Sequence, residues 1–403
     1  MTDRVWSPWR TVVGFGLVSL TADLVYEGAR SVTGPLLASL GASALLVGIV
    51  SGAGEAIALV LRLFFGQLAD RTGGYWRLTI VGYGLTAVSV PLLALAPFVG
   101  SAGLALACVL ILAERTGKAV RSPSKSALLA IAAEGVGRGR GFGVHKALDQ
   151  IGAFAGPLAV AGAVAITSRI WPALAMLAIP GAVAMALLLV VQRRMPVAPA
   201  AEISPSPAAP GGRVTQNLGL DLPHRFFVFA GAAAATTAGL VSYGLIGFHL
   251  STQQVVSTAM VPVLYAVAMA AAAVAALITG WTYDRVGGKV LYGLPILVAL
   301  SPALTLSSQL PLVLLGLLAW GSAIGLQDST VKALVADLVP ASHRATAYGV
   351  FAAIQGGAAV LGGAVAGFLY TRSIPTLVAI VIVTQVVALA LIAKSTRGAD
   401  RSR

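Results

Sequence analysis

Ionisable side chains occur inside apolar stretches of this sequence, where they are costly unless a partner or a wet cavity receives them. Asp23, Glu27 and Arg30 fall within an arc of about 60° when successive residues are placed 100° apart on a helix. We expect this shared face to line a central cavity, where a carboxylate can take up and release a proton. Asp23 is predicted as the proton carrier. Glu27 is either a second carrier or an ion-pair partner of Arg30.

A stripe of cations forms a second candidate site. One acidic and four basic residues share an arc of about 120° on one helix: Glu114, Arg115, Lys118, Arg121 and Lys125. Two explanations fit equally well. The stripe binds a substrate with carboxylate or phosphate character, or it forms a buried network with the acids of the first apolar stretch. Lys118, Arg121 and the earlier Arg30 are therefore candidate substrate-cavity residues.

The second half of the chain is poorer in intramembrane charge. Polar and aromatic side chains there are predicted to line the substrate path, foremost Tyr243, Gln327 and Gln355. This asymmetry suggests that the first half handles protons and the second half shapes the substrate pocket. In the first half, His145 and Asp149 stand one helical turn apart. They form either a proton relay or, as is more common for such a histidine, part of the packed bundle.

The composition defines the elements that must position these residues. Of the 403 residues, 58% are hydrophobic and only 10% are charged, with a mean hydropathy of +0.90. A soluble protein carries about 25% charged residues, so the chain belongs to the membrane class. The apolar runs are helix-length and lack the alternation of an outer-membrane barrel. The single cysteine, Cys108, excludes an internal disulfide framework.

Twelve spans separated by polar or Gly/Pro breaks are predicted, with the six-span halves repeating. They lie near 11–36, 44–66, 77–97, 101–133, 141–166, 172–192, 225–247, 255–280, 289–308, 311–338, 345–370 and 375–393. The sequence thus predicts an all-α integral membrane protein with an N-terminal six-helix bundle (1–192) and a C-terminal one (224–393). A Pro/Gly-rich linker (193–223) joins the bundles, and a short tail (394–403) follows.

Charge placement predicts the orientation in the membrane. With both termini in the cytoplasm, most of the 27 Lys and Arg residues fall on the cytoplasmic side, and only Arg169 and Arg372 lie in loops on the other side. This distribution follows the positive-inside rule. The surplus of 13 positive charges therefore has a topological cause, and no nucleic-acid partner is expected.

A short turn recurs after the second and eighth spans. It reads Gly-x-x-x-Asp70-Arg71-x-Gly in the first half and Gly-x-x-x-Asp284-Arg285-x-Gly in the second. Two such turns in register within twelve spans resemble the signature loops of the major facilitator superfamily. The resemblance implies a fold of two six-helix bundles and a gating role for these four residues. It also places Arg115 at the position of a fourth-span arginine that couples proton and substrate movement.

The fifth span carries a further motif, Gly152-Ala-Phe-Ala-Gly156-Pro157. It resembles the fifth-span signature that this superfamily associates with antiporters. Helix packing is the alternative explanation, since glycines four residues apart let another helix approach closely in any membrane bundle. The departure Leu158-Ala159 replaces the longer glycine tail of the exporter pattern.

The function expected from these features is secondary active transport. No nucleotide-binding or hydrolase motif occurs in the chain, so neither an enzyme nor a primary pump is expected. We predict a multi-pass protein of the inner cell membrane that exports a small organic solute or drug in exchange for protons by alternating access. The alternative is a solute:proton symporter that imports an organic anion. The expected partners are the substrate, protons and the lipid bilayer. The proton gradient is the energy source, no cofactor or metal is expected, and the resemblance implies a monomer.

Overall fold

The computed structural model describes residues 5–195, 222–331, 334, 335, 338, 339 and 343–396. Every regular element in this part of the chain is helical, which confirms the all-α prediction. The helices in the first half are α1 (Pro8–Ser39), α2 (Ala44–Thr72), α3 (Tyr75–Leu92), α4 (Gly103–Ala132), α5 (Arg138–Thr167), α6 (Ile170–Met176) and α7 (Ala178–Arg194). Those in the second half are α8 (His224–Gly239), α9 (Tyr243–Thr252), α10 (Met260–Val286), α11 (Gly293–Thr305), α12 (Leu310–Leu326), α13 (Arg344–Arg372) and α14 (Ile374–Thr396).

Eleven described segments are long and apolar enough to cross a membrane. Helix α4 is the twelfth: its 30 residues suffice in length, but its charged stripe lowers its hydropathy. The number of spans therefore agrees with the twelve predicted. Most of the predicted linker lies outside the described residues, as does most of the C-terminal tail.

Contacts between residues divide the chain into two compact units. The first comprises described residues within 1–29, 57–163 and 169–218, and the second comprises 30–56, 164–168 and the described residues from 219 onward. The sequence alone assigns residues 30–56 to the N-terminal bundle, whereas in this conformation they cluster with the C-terminal helices. The division at the linker stays a prediction.

The core of the first unit joins the start of α1 to α3, α4 and α7. The ring of Phe15 stacks on Trp76 with centroids 5.8 Å apart, within a cluster that includes Val12, Leu129 and Leu188. In the second unit, small residues let helices approach closely. Backbone contacts join the first part of α2 to α13 at Gly48, Gly52, Ala359, Gly363 and Gly367.

The two repeated turns share an unusual backbone conformation. Gly73 and Gly287, the equivalent glycines after the two Asp-Arg pairs, have φ values of +63° and +62°. Side chains are strained in this left-handed region, so glycine is required where each helix ends and the chain reverses. The structure therefore supports the repeat at the level of the backbone.

Candidate functional site

The first candidate site is a pair of carboxyl groups on α1 and α5. The side chains of Asp23 and Asp149 lie within reach of a hydrogen bond to each other. Two carboxyl groups can form such a bond only when one of them carries a proton, because ionised carboxylates are acceptors alone. The arrangement can therefore hold one proton between two oxygens.

Basic and polar groups surround the carboxyl pair, which we call the acid pair. Lys146 Nζ donates to Asp149 Oδ2 at 2.7 Å; the lysine side chain is 66% exposed and that of the aspartate 14% exposed. From α4, Lys125 and Lys118 act electrostatically on Asp23. The acid pair thus lies between an exposed lysine on α5 and two half-buried lysines on α4.

A polar cluster continues from the acid pair along α1. Lys125 Nζ donates to Ser19 Oγ at 3.0 Å, and Ser19 Oγ lies 2.9 Å from Nε2 of the buried His145. Tyr83 OH is 3.5 Å from the same hydroxyl. His145 thus has a hydrogen-bonding partner inside the bundle, close to the groups that surround Asp23.

Glycines on α5 explain how the acid pair forms. Gly152 packs against the backbone of Leu20, and Gly156 packs against the backbone of Leu24 and Gly28. Asp149 precedes Gly152 by three residues and Gly156 by seven, so all three lie on one helix face. The motif that resembles an antiporter signature therefore brings α5 against α1 at the acid pair. The following Pro157 lies inside α5.

The second candidate site is the α4 stripe, where aromatic rings receive the cations. Arg115 donates to the hydroxyl of Tyr26, and its guanidinium lies 4.8 Å from the centre of that ring. Lys118 Nζ lies 3.9 Å from the same ring centre. Cation–π contacts of this kind stabilise a charge that has left water. Tyr26 thus holds two of the predicted residues at one place on α1.

Arg121 and Glu114 occupy the same stripe with different surroundings. Arg121 Nη1 donates to Thr86 Oγ1 at 2.5 Å, and its guanidinium lies 4.8 Å from the centre of the Tyr83 ring. Glu114 Oε2 lies 3.6 Å from Arg115 Nε. Among the described residues, Glu114 Oε1 has no hydrogen-bonding partner although it is buried.

Arg30 belongs to the second unit. Its Nη2 lies 2.7 Å from Glu55 Oε1 on α2, and the two side chains are 23% and 41% exposed. The ion pair that the structure shows for Arg30 is therefore with α2. Glu27, by contrast, lies in the first unit and acts electrostatically on Glu114.

In the second unit, the predicted span 225–247 is broken between α8 and α9. Leu240 is extended, with φ of −79° and ψ of 98°, and Ser242 caps α9 by accepting from the Leu245 amide at 3.3 Å. Trp320 Nε1 donates to the carbonyl oxygen of Val241 at 2.7 Å. A break in a membrane helix requires such compensation, because no lipid can satisfy the freed backbone groups.

Predicted pocket residues flank this break. Tyr243 is the first residue of α9, donates to the Val261 carbonyl at 2.5 Å and packs against Tyr265 with ring centroids 4.4 Å apart. Gln327 Nε2 and Gln355 Nε2 both donate to Thr237 Oγ1 at 3.2 Å. The structure therefore joins two of the three predicted residues through one hydroxyl on α8.

The predicted gating residues lie at the repeated turns. Asp70 Oδ1 accepts a hydrogen bond from Tyr75 OH at 2.8 Å across its own turn. Arg71 is exposed. Asp284 lies in α10, and the guanidinium of the exposed Arg285 lies 3.4 Å from the Trp281 ring centre. In the first half, the acidic residue thus fixes the start of the next helix.

Sequence reasoning paired Asp149 with His145 and did not place it beside Asp23, although its position on the glycine face of α5 was a usable signal. Other residues of these sites were not selected at all. Ser19 and Thr237 give no such signal, because hydroxyl groups are common in membrane helices. His249 was also missed: it is buried, with Nδ1 3.0 Å from Tyr370 OH and Nε2 3.2 Å from the Ser307 carbonyl oxygen.

The twelve spans, the repeated turns and the buried charges define a multi-pass membrane transporter. A family model described as Major Facilitator Superfamily matches residues 15–292 and 226–402. The chain belongs to this superfamily, which confirms the resemblance that its turns suggested. As a member it is a transporter and not an enzyme.

Relatives of known sequence lie in bacteria and archaea. The chain is 51% identical over 395 residues to the uncharacterized protein Rv2265 of Mycobacterium tuberculosis, an alignment that covers 97% of this chain and 94% of the relative. It is 25% identical over 383 residues to the uncharacterized MFS-type transporter MJ1317 of Methanocaldococcus jannaschii, covering 90% of this chain and 89% of the relative.

Solved structures share the fold at low sequence identity. The D323A mutant of the nucleoside transporter NupG is similar with a TM-score of 0.76 and 15% identity, over 96% of this chain and 99% of that one. A POT family transporter in complex with 5-aminolevulinic acid is similar with a TM-score of 0.72 and 14% identity, over 96% and 97%. At these identities the likeness establishes the fold.

Proposed function

We propose that the protein is a proton-coupled antiporter that exports a small organic solute by alternating access, with the acid pair as its proton-carrying group. The observation that carries this proposal is the placement of the Asp23 and Asp149 carboxyl groups within reach of each other, on two helices that Gly152 and Gly156 bring into backbone contact. Loss of the shared proton leaves two carboxylates facing each other in a poorly hydrated site, which is unfavourable. The charge state of the acid pair therefore changes the energy of the surrounding bundle.

The groups around the acid pair suit proton exchange. Lys146 connects Asp149 to the exposed side of α5, and on α4 Lys125 and Lys118 stabilise the state without a proton. The buried His145 adds a further titratable group beside Ser19. A proton taken from water can thus reach an oxygen of Asp149 or Asp23, and its later release restores both carboxylates.

Export is proposed from the fifth-span signature, Gly152, Gly156 and Pro157. The solved structures that share this fold include a nucleoside transporter and a peptide transporter, so a polar organic solute about as large as a nucleoside or a small peptide is a suitable substrate. We further propose residence in the inner cell membrane, action as a monomer, and both termini in the cytoplasm, as the positive-inside rule indicates.

A second candidate, import of an organic anion with protons, is favoured by one observation. Arg121 is buried beside neutral partners, Thr86 and the ring of Tyr83. A cation in such surroundings suits an anionic substrate. The two candidates differ in the direction of solute flow.

The test uses everted membrane vesicles from an efflux-deficient bacterial host. Respiration acidifies their lumen and quenches the fluorescence of a pH-sensitive probe. Antibiotics, dyes or organic anions are then added as candidate solutes, and recovery of the probe fluorescence reports proton exit through the transporter. For an exporter, a solute accumulates in the vesicle as protons leave. We expect this response with the wild type and its loss in Asp23→Asn and Asp149→Asn.

The matched control is Asp328→Asn, which changes the same residue type at an exposed position in the second unit. It is expected to retain the response. Equal loss of proton coupling in Asp23→Asn and Asp328→Asn would contradict the proposed proton site. Solute uptake into intact cells that is driven by an inward proton gradient would favour the symporter.

A further inference from the structure

Glu114 presents a buried acceptor without a donor. The residue is 6% exposed, and among the described residues its Oε1 atom lacks a hydrogen-bonding partner. Arg115 approaches the other oxygen, Oε2, at 3.6 Å, which is too long for a strong hydrogen bond. A buried carboxylate oxygen left unpaired is costly, so a donor from outside the described residues fits this position.

Arg121 is a buried cation without an ion-pair partner among the described residues. It is 4% exposed, and its hydrogen-bond acceptor is the neutral hydroxyl of Thr86. Among the described residues, no carboxylate forms a salt bridge with its guanidinium. A planar guanidinium binds carboxylate or phosphate groups through two parallel hydrogen bonds. The position therefore suits an anionic group.

The two positions lie on one face of α4. Seven residues separate them, which is close to two helical turns and about 10 Å along the helix axis. Arg115, Arg121 and Lys118 lie near enough to act electrostatically on Glu114, and Glu27 of α1 has a smaller effect of opposite sign. The face thus carries a buried acceptor atom at one end and a cation with neutral hydrogen-bonding partners at the other.

We propose that Glu114 and Arg121 bind the two ends of a zwitterionic solute, a protonated amine at Glu114 Oε1 and a carboxylate at Arg121. This inference rests on the proposed function, because the zwitterion is the solute that the antiporter carries. It names the substrate class and adds Glu114 to the substrate-contacting residues. No covalent step is involved, and the solute supplies the donor that Oε1 lacks.

The test measures binding to the purified full-length protein by isothermal titration calorimetry without a proton gradient. The probes are ω-amino acids of increasing length: 4-aminobutyrate, 6-aminohexanoate and 8-aminooctanoate. Two blocked derivatives of 6-aminohexanoate, the N-acetyl compound and the methyl ester, each lack one charge. We expect at least one ω-amino acid to bind, and the blocked forms to bind about tenfold more weakly or worse.

Three variants separate the ends of the site. Glu114→Gln should abolish the preference for the free amine over the N-acetyl form while keeping the preference for the carboxylate over the ester. Arg121→Gln should do the converse, and Arg121→Lys should retain part of the preference for the carboxylate. Ser124→Ala is the matched control, because Ser124 is equally buried on α4 and its hydroxyl also lacks a described partner.

The selectivity readout is independent of folding losses, since each variant serves as its own reference across the probes. Absence of binding by every ω-amino acid to the wild type would overturn the proposal. Equal weakening of all probes in Glu114→Gln would overturn it as well. Either result leaves the dye assay on Asp23→Asn unaffected, so failure of this inference is distinguishable from failure of the proposed function.

Discussion

The contact between α1 and α5 can be tested by adding a single methyl group at Gly152. In Gly152→Ala, the new Cβ would lie 2.9 Å from the carbonyl carbon and Cα of Leu20, whereas ordinary Cβ contacts lie at 3.4–4 Å. Backbone cannot rotate out of the way as a side chain can. The atom nearest to the new Cβ is the carbonyl oxygen of Leu20, so the two helices must separate by about 1 Å or more at this point.

Such a separation has two measurable consequences. A hydrogen bond between carboxyl oxygens requires a distance of about 2.5–3.0 Å, so a shift of this size breaks the bond in the acid pair. Overpacking of this kind costs about 1–3 kcal/mol. We expect Gly152→Ala to lose the proton-linked dye response and to have a lower thermal unfolding midpoint.

Gly162→Ala provides the control on the same helix. A Cβ at Gly162 meets no atom within 4 Å, and both variants gain the same intrinsic helix propensity. The difference between them therefore isolates the contact with Leu20. If the two variants show equal stability and equal proton coupling, the glycine face of α5 does not hold the acid pair together, and the reasoning fails.

Two further predictions concern the turn and the broken helix. Asp70→Ala removes the acceptor of the Tyr75 hydroxyl, and we expect it to reduce transport while leaving solute binding measurable by calorimetry; Tyr75→Phe should reproduce the part due to this hydrogen bond. Trp320→Phe removes the donor to the Val241 carbonyl, so the free energy of unfolding should fall by about 1–3 kcal/mol. The exposed Trp281 provides the comparison, since Trp281→Phe should change thermal stability little.

The sequence was sufficient for the architecture and for which residues share a helix face. Apolar length and the repeated turns predicted twelve spans and the superfamily fold. The rotation of 100° per residue placed Glu114 and the four cations of α4 on one stripe, and the structure shows the four cations in contact with side chains of α1 and α3. Such a pattern follows from helix geometry alone.

The partner of each charged side chain could not be predicted in the same way, because it depends on how neighbouring helices rotate about their axes and approach one another. Arg30 was placed on a face with Glu27, yet its shown ion pair is with Glu55. The break at 240–242 was hidden by a continuous apolar run, and Ser242 gave the only local capping signal. Tertiary contact, here the indole of Trp320, decides such a break.

One cation links the acid pair to the proposed zwitterion site. Lys118 acts electrostatically on Asp23 and also on Glu114. Loss of the shared proton adds negative charge near Lys118 and weakens the field that this lysine exerts at Glu114, so the affinity for a protonated amine there changes with the proton. By linkage, binding of the amine must alter proton affinity at Asp23 by the same factor. A lysine that acts on both Asp23 and Glu114 is thus a physical route by which the protein can couple proton movement to solute movement.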